Sequence, residues 1–196
     1  MVVNEVPNLD LTKILRGGSD VSSEGETSLL EYTVPTTHGT QTNVIPLLGV
    51  ADWRAIASHV GDNEYWLAGT IRATLNLECG RCLDPVSYDL EARLESLLRF
   101  DSKIETPTRL VDNDEEVIVF GNPIIDLTAL FAEALSLEIP AMVKCKSKCK
   151  GLCVDCGANL NRTTACTQTR ADCPVFGEQA DKRENPFAAL KDLFKD

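Results

Sequence analysis

Apolar and polar residues alternate most regularly between Leu67 and Glu95. Leu67, Gly69, Ile71, Ala73, Leu75, Leu77 and Cys79 alternate with Ala68, Thr70, Arg72, Thr74, Asn76 and Glu78, the period-two pattern of a strand that buries one face. Val86, Tyr88, Leu90, Ala92 and Leu94 repeat it against Ser87, Asp89, Glu91, Arg93 and Glu95. The turn-like residues 80–85 between the two runs predict a hairpin with Cys79 and Cys82 at its tip. Val117 to Phe120 reads as a further short strand. The period then changes: Leu127, Leu130, Phe131, Ala134 and Leu135 share one face of a helix that Asp126 caps and Pro140 stops. A second helix is expected near the end, with Asn185 as cap, Pro186 in the first position and Phe187, Leu190, Leu193 and Phe194 on one face.

The rest of the chain is less regular. Residues 17–28 are polar and rich in glycine and serine, which predicts a flexible loop, with the apolar piece Leu9 to Leu15 before it as an anchor. Asn43 to Val50 is β-prone and ended by Gly49, and Trp53 to Val60 fits either a short helix or a sheet edge. Residues 101–116 carry six acids and Pro107, the composition of an exposed connection. The fold class expected is α+β: an antiparallel β-sheet with one or two packed helices and a cysteine-rich, zinc-ribbon-like module. The expected organisation is an N-terminal region with a polar loop over 1–60, an α+β core with the Cys-x-x-Cys hairpin over 61–140, a cysteine module over 141–175 and a C-terminal tail over 176–196.

Composition narrows the function. A chain of 196 residues can bury a sizeable core without staples. No apolar run approaches the length of a membrane span, and the start Met1-Val2-Val3-Asn4-Glu5 lacks the basic and apolar parts of a signal peptide, so a cytoplasmic location is expected. Thirty acidic against 19 basic residues give a net charge of -11, unsuited to coating nucleic acid or acidic lipid with the whole surface. Eight cysteines in such a chain point to metal ligands or redox chemistry rather than to disulfides.

Six of these cysteines, Cys145, Cys149, Cys153, Cys156, Cys166 and Cys173, fall within one short segment; Cys79 and Cys82 supply a second knuckle. Cys153-Val154-Asp155-Cys156-Gly157 has the form of a zinc knuckle, in which glycine lets the chain curl behind the second sulfur. Eight sulfurs could fill two four-sulfur zinc sites, and only His38 and His59 could add imidazole. One partition groups Cys145, Cys149, Cys153 and Cys156; another joins Cys79 and Cys82 to Cys153 and Cys156, leaving Cys145, Cys149, Cys166 and Cys173. An iron-sulfur cluster also takes four thiolates. Cys79-Gly80-Arg81-Cys82 has the spacing of a redox pair, although that motif opens a helix and here strand-like alternation flanks it. With no His-x-Glu or His-Glu-x-x-His segment, a deaminase or a metalloprotease is not expected, and the metal is expected to be structural.

Charge is concentrated on the same module. From Ala141 to Cys173, Lys144, Lys146, Lys148, Lys150, Arg162 and Arg170 outnumber Asp155 and Asp172, a net +4 that leaves -15 on the remainder. These cations suit either neutralisation of zinc-thiolate charge or contact with RNA phosphate; Lys144, Lys146, Lys148, Lys150 and Arg162 are the candidate RNA or partner contacts. The module has no aromatic residue for base stacking.

Several segments together resemble the large ribosomal RNA subunit accumulation protein family of bacteria and plastids. They are Arg81-Cys82-Leu83-Asp84-Pro85-Val86, Ile125-Asp126-Leu127, Glu138-Ile139-Pro140, the run from Cys149-Lys150-Gly151-Leu152-Cys153 to Asn159-Leu160-Asn161, and Asn185-Pro186-Phe187-Ala188-Ala189-Leu190. The resemblance spans residues 60–196 and implies a non-catalytic factor supporting synthesis, processing or stability of large-subunit ribosomal RNA. It carries over Cys79, Cys82, Cys149, Cys153 and Cys156. The partner expected is that RNA or a pre-ribosomal protein, with zinc as cofactor and with neither a membrane nor a small-molecule substrate. Two other functions fit the sequence less well: a thiol-disulfide protein using Cys79 and Cys82, and an acidic protein-binding adaptor.

Overall fold

The computed structural model describes residues 6–37, 39–112, 115–153 and 157–162. The helix expected from Asn185, and Cys156, Cys166 and Cys173, lie outside them. The chain divides into two units, Met1–Leu77 with Val86–Ala141, and Glu78–Pro85 with Met142–Asp196. The turn carrying Cys79 and Cys82 therefore groups with the residues from Met142 onward.

The first unit begins with β1 (Asn8–Asp10) and the short α1 (Thr12–Leu15), whose Leu9, Leu11 and Ile14 are buried as an anchor should be. The next segment corrects the expectation of a loop: Asp20–Thr27 is a strand, β2, paired antiparallel along its whole length with β5 (Ala51–Gly61). β2 stands at the edge of its sheet, held by its backbone pairing to β5 with Val21, Ser23, Gly25 and Thr27 turned inward, so its polar composition is tolerated. Gly25 lies opposite Trp53, and a Cβ at Gly25 would sit 3.3 Å from the indole. The glycine that reads as a loop signal is there to let an aromatic ring lie against backbone. β3 (Glu31–Thr36) and β4 (Gly39–Val44) form a separate hairpin. Trp53 to Val60, open between helix and strand in the sequence, belongs to β5 inside the main sheet.

β6 (Glu64–Glu78) and β7 (Pro85–Phe100) are the two alternating runs, and they are neighbours. Their side chains meet as Arg72 with Glu91 and Thr74 with Asp89; one number falls as the other rises, so the pair is antiparallel. The sheet is not wholly antiparallel, which corrects the sequence reading. Its order is β2-β5-β6-β7-β9-β8, and β9 (Glu115–Phe120) runs parallel to β7, while β8 (Thr108–Asp112) takes the edge. The reason is burial: Val117, Ile118, Val119 and Phe120 are buried on both faces and need a strand on either side. The polar β8, which lies in the stretch that reads as a connection, can stand exposed.

β10 (Ile124–Asp126) pairs with β1 and leads into α2 (Thr128–Glu138). Asp126 accepts the Thr128 amide at 2.8 Å, so it caps from one residue outside the cap position, which Leu127 occupies. The helix ends at Glu138, and Ile139 before Pro140 is extended, as the ring of a following proline demands. Phe131, Ala132 and Leu135 face the core; Ala132 rather than Ala134 is buried. They close over Trp53, Leu67, Ile71, Leu75, Leu98 and Phe120 in one cluster, with Trp53 and Phe131 ring centroids 6.0 Å apart. Among the described residues no helix is long and apolar enough to cross a membrane.

Because Phe131 is fully buried at the centre of this cluster, Phe131→Ala is expected to destabilise the fold by about 3–5 kcal/mol. Urea denaturation followed by Trp53 fluorescence checks this.

Candidate metal centre

The second unit is assembled around sulfur. The thiols of Cys79, Cys82, Cys145 and Cys149 lie within 4.8 Å of one another. The Cys79 and Cys149 sulfurs are 3.8 Å apart, and those of Cys82 and Cys145 are 3.5 Å apart. Four thiolates at about 2.3 Å from one tetrahedral ion would be separated by about 3.8 Å. The quartet therefore fits a single ion, and four such ligands would leave it no open position.

Backbone contacts bring the two halves together. The Gly80 amide donates to Val143 O at 2.8 Å and the Leu152 amide to Arg81 O at 3.0 Å, while the Arg81 guanidinium donates to Cys149 O at 3.0 Å. Gly151 is needed here, because its φ is +80° and a Cβ would meet Arg81 O at 3.1 Å. Within the turn the Leu83 amide donates to Cys79 O, and the Cys79 amide to Asp84 O.

The sulfurs are held in a shell of N–H donors. Amides of Cys145, Arg81 and Cys82 bring the Cys79 thiol down to about 6. The Cys82 sulfur accepts the Asp84 amide, which lowers it, yet burial and the crowding sulfurs of Cys145, Cys149 and Cys79 push it up to about 12. Burial also raises Cys145, and the Asn161 side-chain amide lowers Cys149. Such a set cannot carry four thiolates unaided, and a bound cation is what would draw off the remaining protons.

A polar strap surrounds the sulfurs. Leu152 bridges Asn159, the Cys153 amide donates to Ala158 O, and the Leu160 amide to Gly151 O. Asn161 Nδ2 donates to Cys149 Sγ at 3.3 Å and to Asn159 Oδ1 at 2.9 Å. Asn159 Nδ2 donates in turn to Asp84 Oδ2 at 2.9 Å, and Arg162 to Asp84 Oδ1 at 2.9 Å. These donors, Asn159 first, hold the Asp84 carboxyl below its usual range. Such outer partners orient ligands and tune affinity.

The grouping is neither of the two partitions that spacing suggests, because it joins Cys145 and Cys149 to Cys79 and Cys82. Cys153 is buried nearby. Lys144, Lys146, Lys148 and Lys150 are exposed on this unit; Arg162 is exposed too, but its guanidinium is engaged by Asp84. Asp84, Asn159 and Asn161 were within reach of the sequence, in the segments Arg81-Cys82-Leu83-Asp84 and Asn159-Leu160-Asn161, but no chemistry attached to them until the fold brought them together.

Fold and site thus define a small mixed-sheet protein carrying a four-cysteine centre that could hold a metal ion. Residues 67–194 match the model of the family described as "Large ribosomal RNA subunit accumulation protein YceD", and the chain belongs to that family. It is 29% identical over 125 residues to a maize protein named large ribosomal RNA subunit accumulation protein YCED homolog 1, chloroplastic, the match taking in 52% of this chain and 43% of the maize protein. The Arabidopsis thaliana protein of the same name is 27% identical over 151 residues, 64% of this chain and 44% of the relative. An uncharacterised protein of Mycobacterium tuberculosis is 34% identical over 95 residues, 48% of this chain and 44% of that protein. Each match spans less than half the relative's length. No solved structure matches the chain.

Two outcomes are expected of the metal-free protein and the outer strap. As pH rises, the first thiolate absorbance in the ultraviolet develops around the Cys79 value of about 6 and disappears in Cys79→Ser. Asn161→Ala, which removes the N–H···S bond to Cys149, is expected to weaken metal affinity roughly 10- to 100-fold, as read by competition with a chromophoric chelator.

Proposed function

We propose that this protein is a non-catalytic, cytoplasmic ribosome-biogenesis factor whose cysteines hold structural zinc and whose lysine-bearing loop contacts large-subunit ribosomal RNA. The observation that carries the proposal is the four-thiol cluster among exposed lysines, in a chain whose family is named for accumulation of that RNA. Four cysteine ligands leave a zinc ion no position for substrate or water, which is the mark of a structural rather than a catalytic site. A multi-iron cluster spreads its thiolates over several irons, so sulfurs this close favour one ion.

Charge separates the two units. The first holds 21 acidic and 8 basic residues, a net -13, and the second 9 acidic and 11 basic, a net +2. A polyanion would be attracted to the cysteine unit and repelled by the other, which gives RNA contact a direction. The dithiol reading draws on the low value of Cys79, but that side chain is fully buried, whereas thiols that exchange are accessible.

The test is elemental and sulfide analysis of protein purified without a metal-binding tag, paired with co-sedimentation on large-subunit precursors. Zinc without iron is expected, with one ion lost in Cys145→Ser. Joint replacement of Lys144, Lys146, Lys148 and Lys150 by glutamate should keep the zinc and weaken co-sedimentation. Iron with labile sulfide would overturn the zinc assignment, and unchanged co-sedimentation of the charge-reversed protein would overturn the RNA contact.

A further inference from the structure

The turn that carries Cys79 and Cys82 contains a conformational anomaly. Leu83 has φ +59°, in the left-handed region that a branched, bulky side chain rarely enters. Its side chain is not there to fill the interior, since Leu83 is 58% exposed. Nor is the backbone free to relax. The Leu83 amide is bonded to Cys79 O at 2.9 Å and the Cys79 amide to Asp84 O at 2.9 Å. On either side, Cys82 belongs to the sulfur cluster and the Asp84 carboxylate is held by Asn159 and Arg162.

Glycine would take this conformation without strain, and the same unit uses it so: Gly157, which follows Cys156 as Leu83 follows Cys82, has φ +69°. At the first knuckle the chain keeps a large apolar side chain in a strained conformation and points it at solvent. Strain retained where the surroundings fix it marks a position selected for something other than stability.

The neighbourhood indicates what it meets. Met142, 59% exposed, lies against the same turn: a Cβ at Gly80 would be 3.3 Å from its Cγ. The described part of the unit carries Lys144, Lys146, Lys148 and Lys150, all exposed and beginning two residues after Met142, whereas its Arg81 and Arg162 are engaged by Cys149 O and Asp84. Exposed aliphatic side chains on a unit that also presents a run of lysines are suited to nucleic acid: cations neutralise phosphate, and Leu or Met inserts as a wedge at a base step.

We infer that Leu83, with Met142 beside its turn, is an apolar wedge that docks the cysteine unit against a loosened base step of folded RNA, the lysines engaging the flanking phosphates. The inference rests on the RNA reading proposed above and deepens it. The wedge contributes a contact that salt does not screen; the lysines contribute the one that salt does.

The two parts separate experimentally. Binding of the zinc-loaded full chain to transcribed large-subunit ribosomal RNA is measured over a series of salt concentrations. Leu83→Gly relieves the backbone and removes the wedge; Leu83→Asn, which also tolerates the left-handed conformation, is the second variant should glycine loosen the turn. Either is expected to keep its zinc and thermal stability and the wild-type salt slope while raising Kd roughly 10- to 100-fold at every salt concentration, as for losing a buried leucine contact. The four-lysine reversal should instead flatten the slope. Wild-type affinity in both Leu83 variants overturns the wedge. Normal RNA binding with loss of a co-purifying pre-ribosomal protein also overturns it, in favour of a protein pocket. A four-lysine variant that binds RNA with an unchanged slope overturns the RNA reading itself, independently of Leu83.

Discussion

The described part of the second unit gathers around sulfur rather than around a hydrocarbon core. Among its described residues the buried side chains are Val143 and the cysteines 79, 82, 149 and 153. These described residues remove little apolar surface from water, so the hydrogen bonds and the sulfur contacts weigh more here than hydrophobic burial does. A cation shared by the four sulfurs would join the turn near residue 80 to the loop near residue 147 and convert mutual repulsion of thiolates into attraction. The hydrogen bonds from Gly80, Leu152 and Arg81 zip the same two segments together.

The same dependence explains why the strap is polar. Asn161, Asn159, Asp84 and Arg162 form a continuous chain of hydrogen bonds that begins on a sulfur. Thiolates on a divalent ion retain excess negative charge, and N–H donors disperse it without competing for the metal. Arg162 illustrates how a cation that looks available in the sequence is already employed. Lysines 144, 146, 148 and 150 remain the exposed cations of the loop.

What could be read directly from the chain was whatever expressed itself as local periodicity. β6 and β7 were legible because each buries one face, so Leu67, Ile71 and Leu75, and Ala92 and Leu94, mark the core side. α2 was legible for the same reason: Leu127, Phe131 and Leu135 lie in the core and Leu130 and Ala134 pack against it, with Ala132 buried in addition. β2 was not, since an edge strand shows its partner only backbone, and Gly25 serves a packing need that looks like disorder in a one-dimensional reading. The parallel pairing of β9 with β7 was equally hidden: four consecutive buried residues show that a strand is central without showing which neighbours it takes. In the metal centre the ligand types were evident and their grouping was not, because Cys79 meets Cys149 and Cys82 meets Cys145 across 70 and 63 residues. Spacing arguments favour cysteines close in sequence, whereas closure of this site is decided by a turn that the sheet strands deliver.

Leu83 shows where stability and function part within one turn. The cluster fixes the backbone at that position, so the sequence is free to choose the side chain but not the conformation. Choosing glycine would lower the energy of the fold, as at Gly157; choosing leucine raises it by an amount on the order of 1 kcal/mol. That cost falls on a turn fixed on one side by the Cys82 contact with Cys145 and on the other by the Asp84 network. A turn held on both sides in this way is well suited to hold an apolar side chain out in water, where a flexible loop would fold it back.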